Sequence, residues 1–134
     1  MAQQVVEDLK NKLVTQYMEV RILLQRAKSA MARRKRRLRE FPERVAYVKM
    51  VENDLVYASR RLEQLQRDFM DRNFCLRVEA SLMYLWKRCR PSVKGHRYWQ
   101  RCLSRRYVDF AIEFKDFLYN YQTLMLTLNI RDVQ

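Results

Sequence analysis

The residues of this chain most able to do chemistry are cationic, and they are clustered. The stretch ARRKRRLREFP, Ala32 to Pro42, places six basic residues in the seven positions from Arg33 to Arg39, namely Arg33, Arg34, Lys35, Arg36, Arg37 and Arg39. With Lys28 they form one acid-free set. A second is made by Lys87, Arg88, Arg90, Lys94, Arg97, Arg101, Arg105 and Arg106. These fifteen residues exceed the net charge of +13, so the rest of the chain is slightly acidic and the positive charge has two addresses. Like charges held together repel, and a polyanion relieves that repulsion.

The second set is interleaved with Trp86, Tyr98, Trp99 and Tyr107. Cations beside flat rings suit nucleic acid, because the cations neutralise phosphates while rings stack on unpaired bases. The candidate nucleic-acid-binding residues are therefore the six of Arg33 to Arg39, together with Lys87, Arg88, Arg90, Lys94, Arg97, Tyr98, Arg101, Arg105 and Arg106. Trp99 falls on an apolar stripe and is expected in the core. Two other readings weigh less: RRKRRLR matches a nuclear-localisation pattern, and basic helices can lie on membrane surfaces.

Catalytic chemistry finds no such support. His96, the single histidine, has no nucleophile beside it in a recognisable motif, and one glycine in 134 residues rules out a glycine-rich phosphate loop. Cys89, His96 and Cys102 are spaced by seven and six, which matches no common zinc module, and no fourth ligand is evident. The expectation is a non-enzyme without metal or cofactor. Cys75, Cys89 and Cys102 are odd in number and lack CxxC spacing, which fits a cytoplasmic or other reducing intracellular compartment. The opening MAQQVVEDLK has no basic-then-apolar signal pattern, and no apolar run reaches the roughly twenty residues that cross a bilayer.

The elements that must hold these groups are helices. One Gly and two Pro are too few for the turns that strands require. Leu9, Leu13, Tyr17, Val20, Leu24, Ala27 and Met31 recur in steps of three and four, predicting a helix from about Val5 to Glu40 that ends before Pro42. Pro42 then opens a second helix, with Glu43 in its first turn and Val45, Val48, Leu55, Ala58, Leu62, Leu65 and Phe69 as its stripe. Asp71-Arg72-Asn73 is either a turn or a kink in a continuous helix. A third helix carries Val78, Leu82, Leu85, Trp86 and Cys89 and stops at RPSVKGHR. A last one carries Trp99, Leu103, Phe110, Phe114, Phe117, Tyr121, Leu124 and Leu128. The expected fold is a single domain over 1–134, an all-α antiparallel up-down-up-down four-helix bundle with a long N-terminal helix. In that topology the first and third connections share one end, so the two basic sets meet there.

The order of a helix closed by FPER, a long second helix, a third ending in LMYLWKRCR, a short polar turn and a last amphipathic helix resembles the accessory variability determinant proteins of diversity-generating retroelements, over about Val20 to Tyr121. That resemblance implies a basic bundle that forms a ring-shaped homo-pentamer and binds a reverse transcriptase and its template RNA without being an enzyme, with Arg88 to Arg106 on the surface facing them. The chain departs from the family's pattern in ending with FLYNYQTLMLTL rather than a glycine-rich, Trp-containing segment, and in a longer, more arginine-rich first helix. The expected partners are accordingly RNA in preference to DNA, a protein such as a reverse transcriptase, and further copies of the chain. The competing expectation is a structural or assembly subunit whose basic end meets acidic protein surfaces, and the long stripes of the first, second and last helices could serve helix partners of that kind.

Overall fold

The computed structural model describes residues 2–90 and 102–128. Five helices occupy them: α1 (Ala2–Arg37), α2 (Pro42–Gln64), α3 (Gln66–Met70), α4 (Leu76–Cys89) and α5 (Arg105–Thr127). No strand occurs among the described residues. Along the 36 residues of α1 the rise of 1.5 Å per residue gives a length of about 54 Å.

The helix boundaries have local causes. α1 stops at Arg37, three residues before the expected Glu40, because Leu38 and Phe41 close a turn through the carbonyls of Arg34 and Leu38. Pro42 takes the first position of α2, where its missing N–H costs nothing, and Glu43 stands in the first turn. Arg44 covers the ring of Phe41, the residue preceding that proline, at 4.6 Å. α2 ends at Leu65, which also caps the start of the short α3.

Residues 71–73, left open between turn and kink by the sequence, form a turn that separates α3 from α4. Arg72 takes the left-handed conformation, φ 54°, which costs a side chain other than glycine about 1 kcal/mol. The turn is compensated on both sides. The Asn73 N–H donates to the Asp68 carbonyl at 2.7 Å and that of Arg72 to Phe69 at 3.2 Å, an arrangement that satisfies the last carbonyls of α3. The Arg72 guanidinium reaches back to Glu7 and Asn11 of α1 at 3.0 and 2.8 Å.

α5 begins later than its stripe suggests. Ser104 caps it, its hydroxyl accepting from the Arg106 N–H at 3.1 Å, so Leu103 precedes the helix and Trp99 lies outside the described residues. The remaining stripe residues are where periodicity puts them: Leu13, Tyr17, Val20, Leu24, Ala27 and Met31 of α1 are buried together with Phe110, Phe114, Phe117, Tyr121 and Leu124 of α5.

α1 packs on α2 and on α5, and α4 packs on the same two helices. The contacts run in opposite senses along neighbouring helices. From late to early α1, Lys35, Gln25 and Tyr17 meet Glu52, Ser59 and the Leu62 carbonyl of α2 in turn. Along α4, Cys89 and then Cys75, just before its start, meet Tyr107 and Tyr121 of α5. The result is an all-helical bundle around one continuous core. At the end away from the basic sets an aromatic knot closes it: Phe69 stacks on Tyr17 at 4.3 Å and meets Phe117 at 5.5 Å and Tyr121 at 5.9 Å.

Candidate nucleic-acid interface

The described members of the two basic sets stand at one end of the bundle, where Arg33 and Arg106 line one cleft. α1 delivers its last turns there, α4 ends there, and α5 starts there, held by the hydrogen bond from the Tyr107 hydroxyl to the Cys89 carbonyl. Lys94, Arg97, Tyr98 and Arg101 lie outside the described residues, as does His96.

The described members divide by what they touch. Lys35 is committed to the fold, its Nζ 2.7 Å from Glu52 of α2 with both groups partly screened from water. Arg88 is committed likewise: its guanidinium pairs with Asp54 at 3.0 Å and lies over the Tyr57 ring at 3.9 Å. Arg105 spans one helical turn to Asp109 at 3.1 Å but stays 83% exposed. Two of the fifteen candidates thus pin α2 to its neighbours. Spacing did not signal this, because Glu52 and Asp54 sit on a helix with no basic run of its own.

The others form the surface. Arg33, Arg36, Arg37, Arg39, Lys87, Arg90 and Arg106 are exposed, and Arg34 is half-buried. Arg33 and Arg106, one from each set, line a single cleft of about 300 Å³ with Arg26 of α1 and no acid among its lining residues. Arg26 stands two turns before Arg33, seven residues earlier and so on the same helical face. That spacing was the available signal for it, and the run from Arg33 to Arg39 obscured it.

Helix electrostatics separate these arginines further. Arg34 to Arg37 occupy the last turn of α1, where the negative end of the helix dipole welcomes them. Arg105 and Arg106 occupy the first turn of α5, which holds no acid, so both face the positive end of a dipole. Ordinary helix stability accounts for the first group and opposes the second.

A second cleft, also of about 300 Å³, opens between α4 and α5 beside Lys87 and Arg90. Four acids stand away from these clefts: Asp8, Glu19, Glu113 and Asp116 border the lower α1–α5 groove, where buried Gln16 donates to Asp116 at 2.8 Å and to Glu113 at 3.2 Å. Along the α1–α5 face the two groupings are separate, Arg26, Arg33 and Arg106 around one cleft and Asp8, Glu19, Glu113 and Asp116 around the other groove.

Burial pushes the Cys89 thiol up to about 12, with the carboxylate of Asp54 adding to the effect. Burial likewise raises Tyr107 well above the ordinary phenol range. No three His, Cys, Asp or Glu side chains among the described residues are placed to hold a metal ion. No helix in them is long and apolar enough to cross a membrane.

No protein-family model, curated protein or solved structure matches this chain.

Proposed function

We propose that the protein is a non-enzymatic, RNA-binding accessory subunit, an antiparallel up-down-up-down four-helix bundle with a long first helix whose basic end receives phosphates. The opposite senses in which contacts run along neighbouring helices support the architecture. The observation that carries the nucleic-acid reading is Arg106: it stands in the first turn of α5 against the dipole and faces Arg33 and Arg26 across an acid-free cleft. A fold gains nothing from that placement without an anion to occupy it.

The most specific form of the proposal is a self-associating partner of a reverse transcriptase in a diversity-generating retroelement, supported by the order of FPER, LMYLWKRCR and a last amphipathic helix. A pentamer in light-scattering measurements is its expected signature, and a monomer at micromolar concentration opposes it. A structural assembly subunit is the second reading. Met18 and Ile22, about half exposed beside Arg21 on one face of α1, favour it.

Fluorescence anisotropy with single-stranded RNA, structured RNA and duplex DNA across a salt series tests the main reading, because phosphate contacts make log affinity fall with log salt. Salt-steep binding that prefers RNA is expected. Binding no tighter than millimolar to all three at physiological salt overturns it and turns the arginines toward acidic protein surfaces.

A further inference from the structure

We infer that the cleft between α4 and α5 is a stacking site for an unpaired nucleobase, a second subsite distinct from the phosphate-binding arginines of Arg33 and Arg106; the inference rests on the RNA-binding reading.

Met83, Trp86, Lys87 and Arg90 form one wall, from α4 and its cap, and Lys115 and Tyr119 stand on the other. Three cations surround an apolar floor, no acid lines it, and none of the three has an ion-pair partner among the described residues. The floor is rigid. Trp86 is stacked on Phe114 of the core with rings 6.1 Å apart and 20° from parallel, so the indole is backed by packed side chains. Tyr119 differs from the other tyrosines of α5. Tyr107 and Tyr121 are buried with their hydroxyls hydrogen-bonded to the backbone, whereas Tyr119 is 66% exposed and its ring has no aromatic neighbour among the described residues. A large ring held in water at the mouth of an apolar, cation-rimmed cleft carries a cost that a stacked ligand removes.

The chemistry of the lining selects the occupant. Three cations require an anionic ligand, and the aromatic floor requires a flat one. The cleft is open and shallow, at the low end of the volumes that small-ligand sites span, so it suits a group that remains attached to something larger. A nucleotide within a single strand meets all three conditions: the base enters against Trp86 and Tyr119 while its flanking phosphates meet Lys87, Arg90 and Lys115. A duplex does not, because its bases are already stacked and paired.

The test compares two oligonucleotides of equal length and phosphate number, oligouridine and an abasic strand, by anisotropy at physiological salt, with wild type and the Tyr119→Ala and Lys115→Gln variants. Wild type is expected to prefer the strand with bases by about fivefold to a hundredfold, the range that stacking confers. Tyr119→Ala should abolish that preference while leaving affinity for the abasic strand unchanged, and Lys115→Gln should weaken both strands. Equal wild-type affinity for the two strands overturns the stacking site and leaves the phosphate reading standing. Failure to bind either strand overturns both. A Tyr119→Ala variant that retains the base preference overturns the proposal, and a change of its mass in light scattering besides assigns the cleft to contact between copies of the chain.

Discussion

The guanidinium of Arg88 lies 3.9 Å from the centre of the Tyr57 ring while pairing with Asp54 at 3.0 Å. An arginine in the middle of a basic run is thereby a structural member that ties α4 to α2. Removing it leaves Asp54 without its counter-charge and Tyr57 without its cover. Arg88→Ala is expected to lose about 1–2 kcal/mol in urea unfolding, whereas Arg36→Ala and Arg37→Ala, on exposed positions, should stay within about 0.5 kcal/mol of wild type. RNA affinity should show the reverse order. A destabilised Arg36 variant with a neutral Arg88 variant would exchange the two roles.

Gln16 and Asn120 form the buried polar link between α1 and α5, the amide of Asn120 donating to Gln16 Oε1 at 2.8 Å. Both side chains are nearly inaccessible to water. Asn120→Ala strands an acceptor and is expected to cost about 1–3 kcal/mol. Replacing both residues by leucine removes this donor and acceptor together; it also takes the Gln16 amide from Asp116 and Glu113, which reach water, so it should recover part of that loss. A double variant no more stable than Asn120→Ala in urea titrations would mean that the link is maintained by packing rather than by its hydrogen bonds.

Apolar periodicity was sufficient to find the long helices, because a stripe such as Leu13, Tyr17, Val20 and Leu24 can be buried in only one way on a helix; it did not separate the short α3 from α2, since Leu62, Leu65 and Phe69 continue one stripe across the break. The boundaries were less legible. Periodicity carries no information on where backbone groups find partners, so the capping of α5 by Ser104 and the left-handed Arg72 could not be read from apolar spacing. The charge clusters were legible as sets but not as roles. Whether an arginine binds a ligand or an internal acid depends on pairs such as Lys35 with Glu52, seventeen residues apart, and Arg88 with Asp54. Lys115 and Tyr119 escaped notice because they stand singly, on a helix whose other aromatics are core.

The cysteines report on the same packing. Cys89 and Cys102 are buried and Cys75 is half-buried, so a thiol-reactive dye at pH 8 should label Cys75 first and the other two only on unfolding. For Cys89 the raised thiol value sets a direction for stability. The folded state keeps its proton up to about 12 while the unfolded thiol, near 9, releases it earlier, so stability is full below about 9 and falls as pH climbs toward 12. Cys89→Ala should flatten part of that fall most clearly near pH 9, where the phenols of the unfolded chain, near 10, have only begun to ionise; buried Tyr17, Tyr107 and Tyr121, raised in the same direction, keep the remainder of the fall in place. An unchanged slope there, measured by urea unfolding, would remove Cys89 as its source.

Arg106 joins the stability and binding consequences in one residue. It faces the positive end of the α5 dipole and shares its cleft with Arg26 and Arg33. Arg106→Glu places a negative charge where the dipole favours it and beside two cations, so it is expected to stabilise the fold by about 0.3–1 kcal/mol while weakening RNA binding. Opposite signs in the two measurements are what a residue retained for a ligand would give; a loss in both would make it structural. Arg33 supplies the complementary test. If one phosphate is held by both arginines, Arg33→Ala and Arg106→Ala should couple in RNA affinity by at least about 0.5 kcal/mol, and the double variant should lose no more than about 0.7 from the salt slope, the share of a single phosphate on a single strand. Strictly additive losses with a slope change of about twice that size would place the two arginines on separate phosphates and divide the cleft between them.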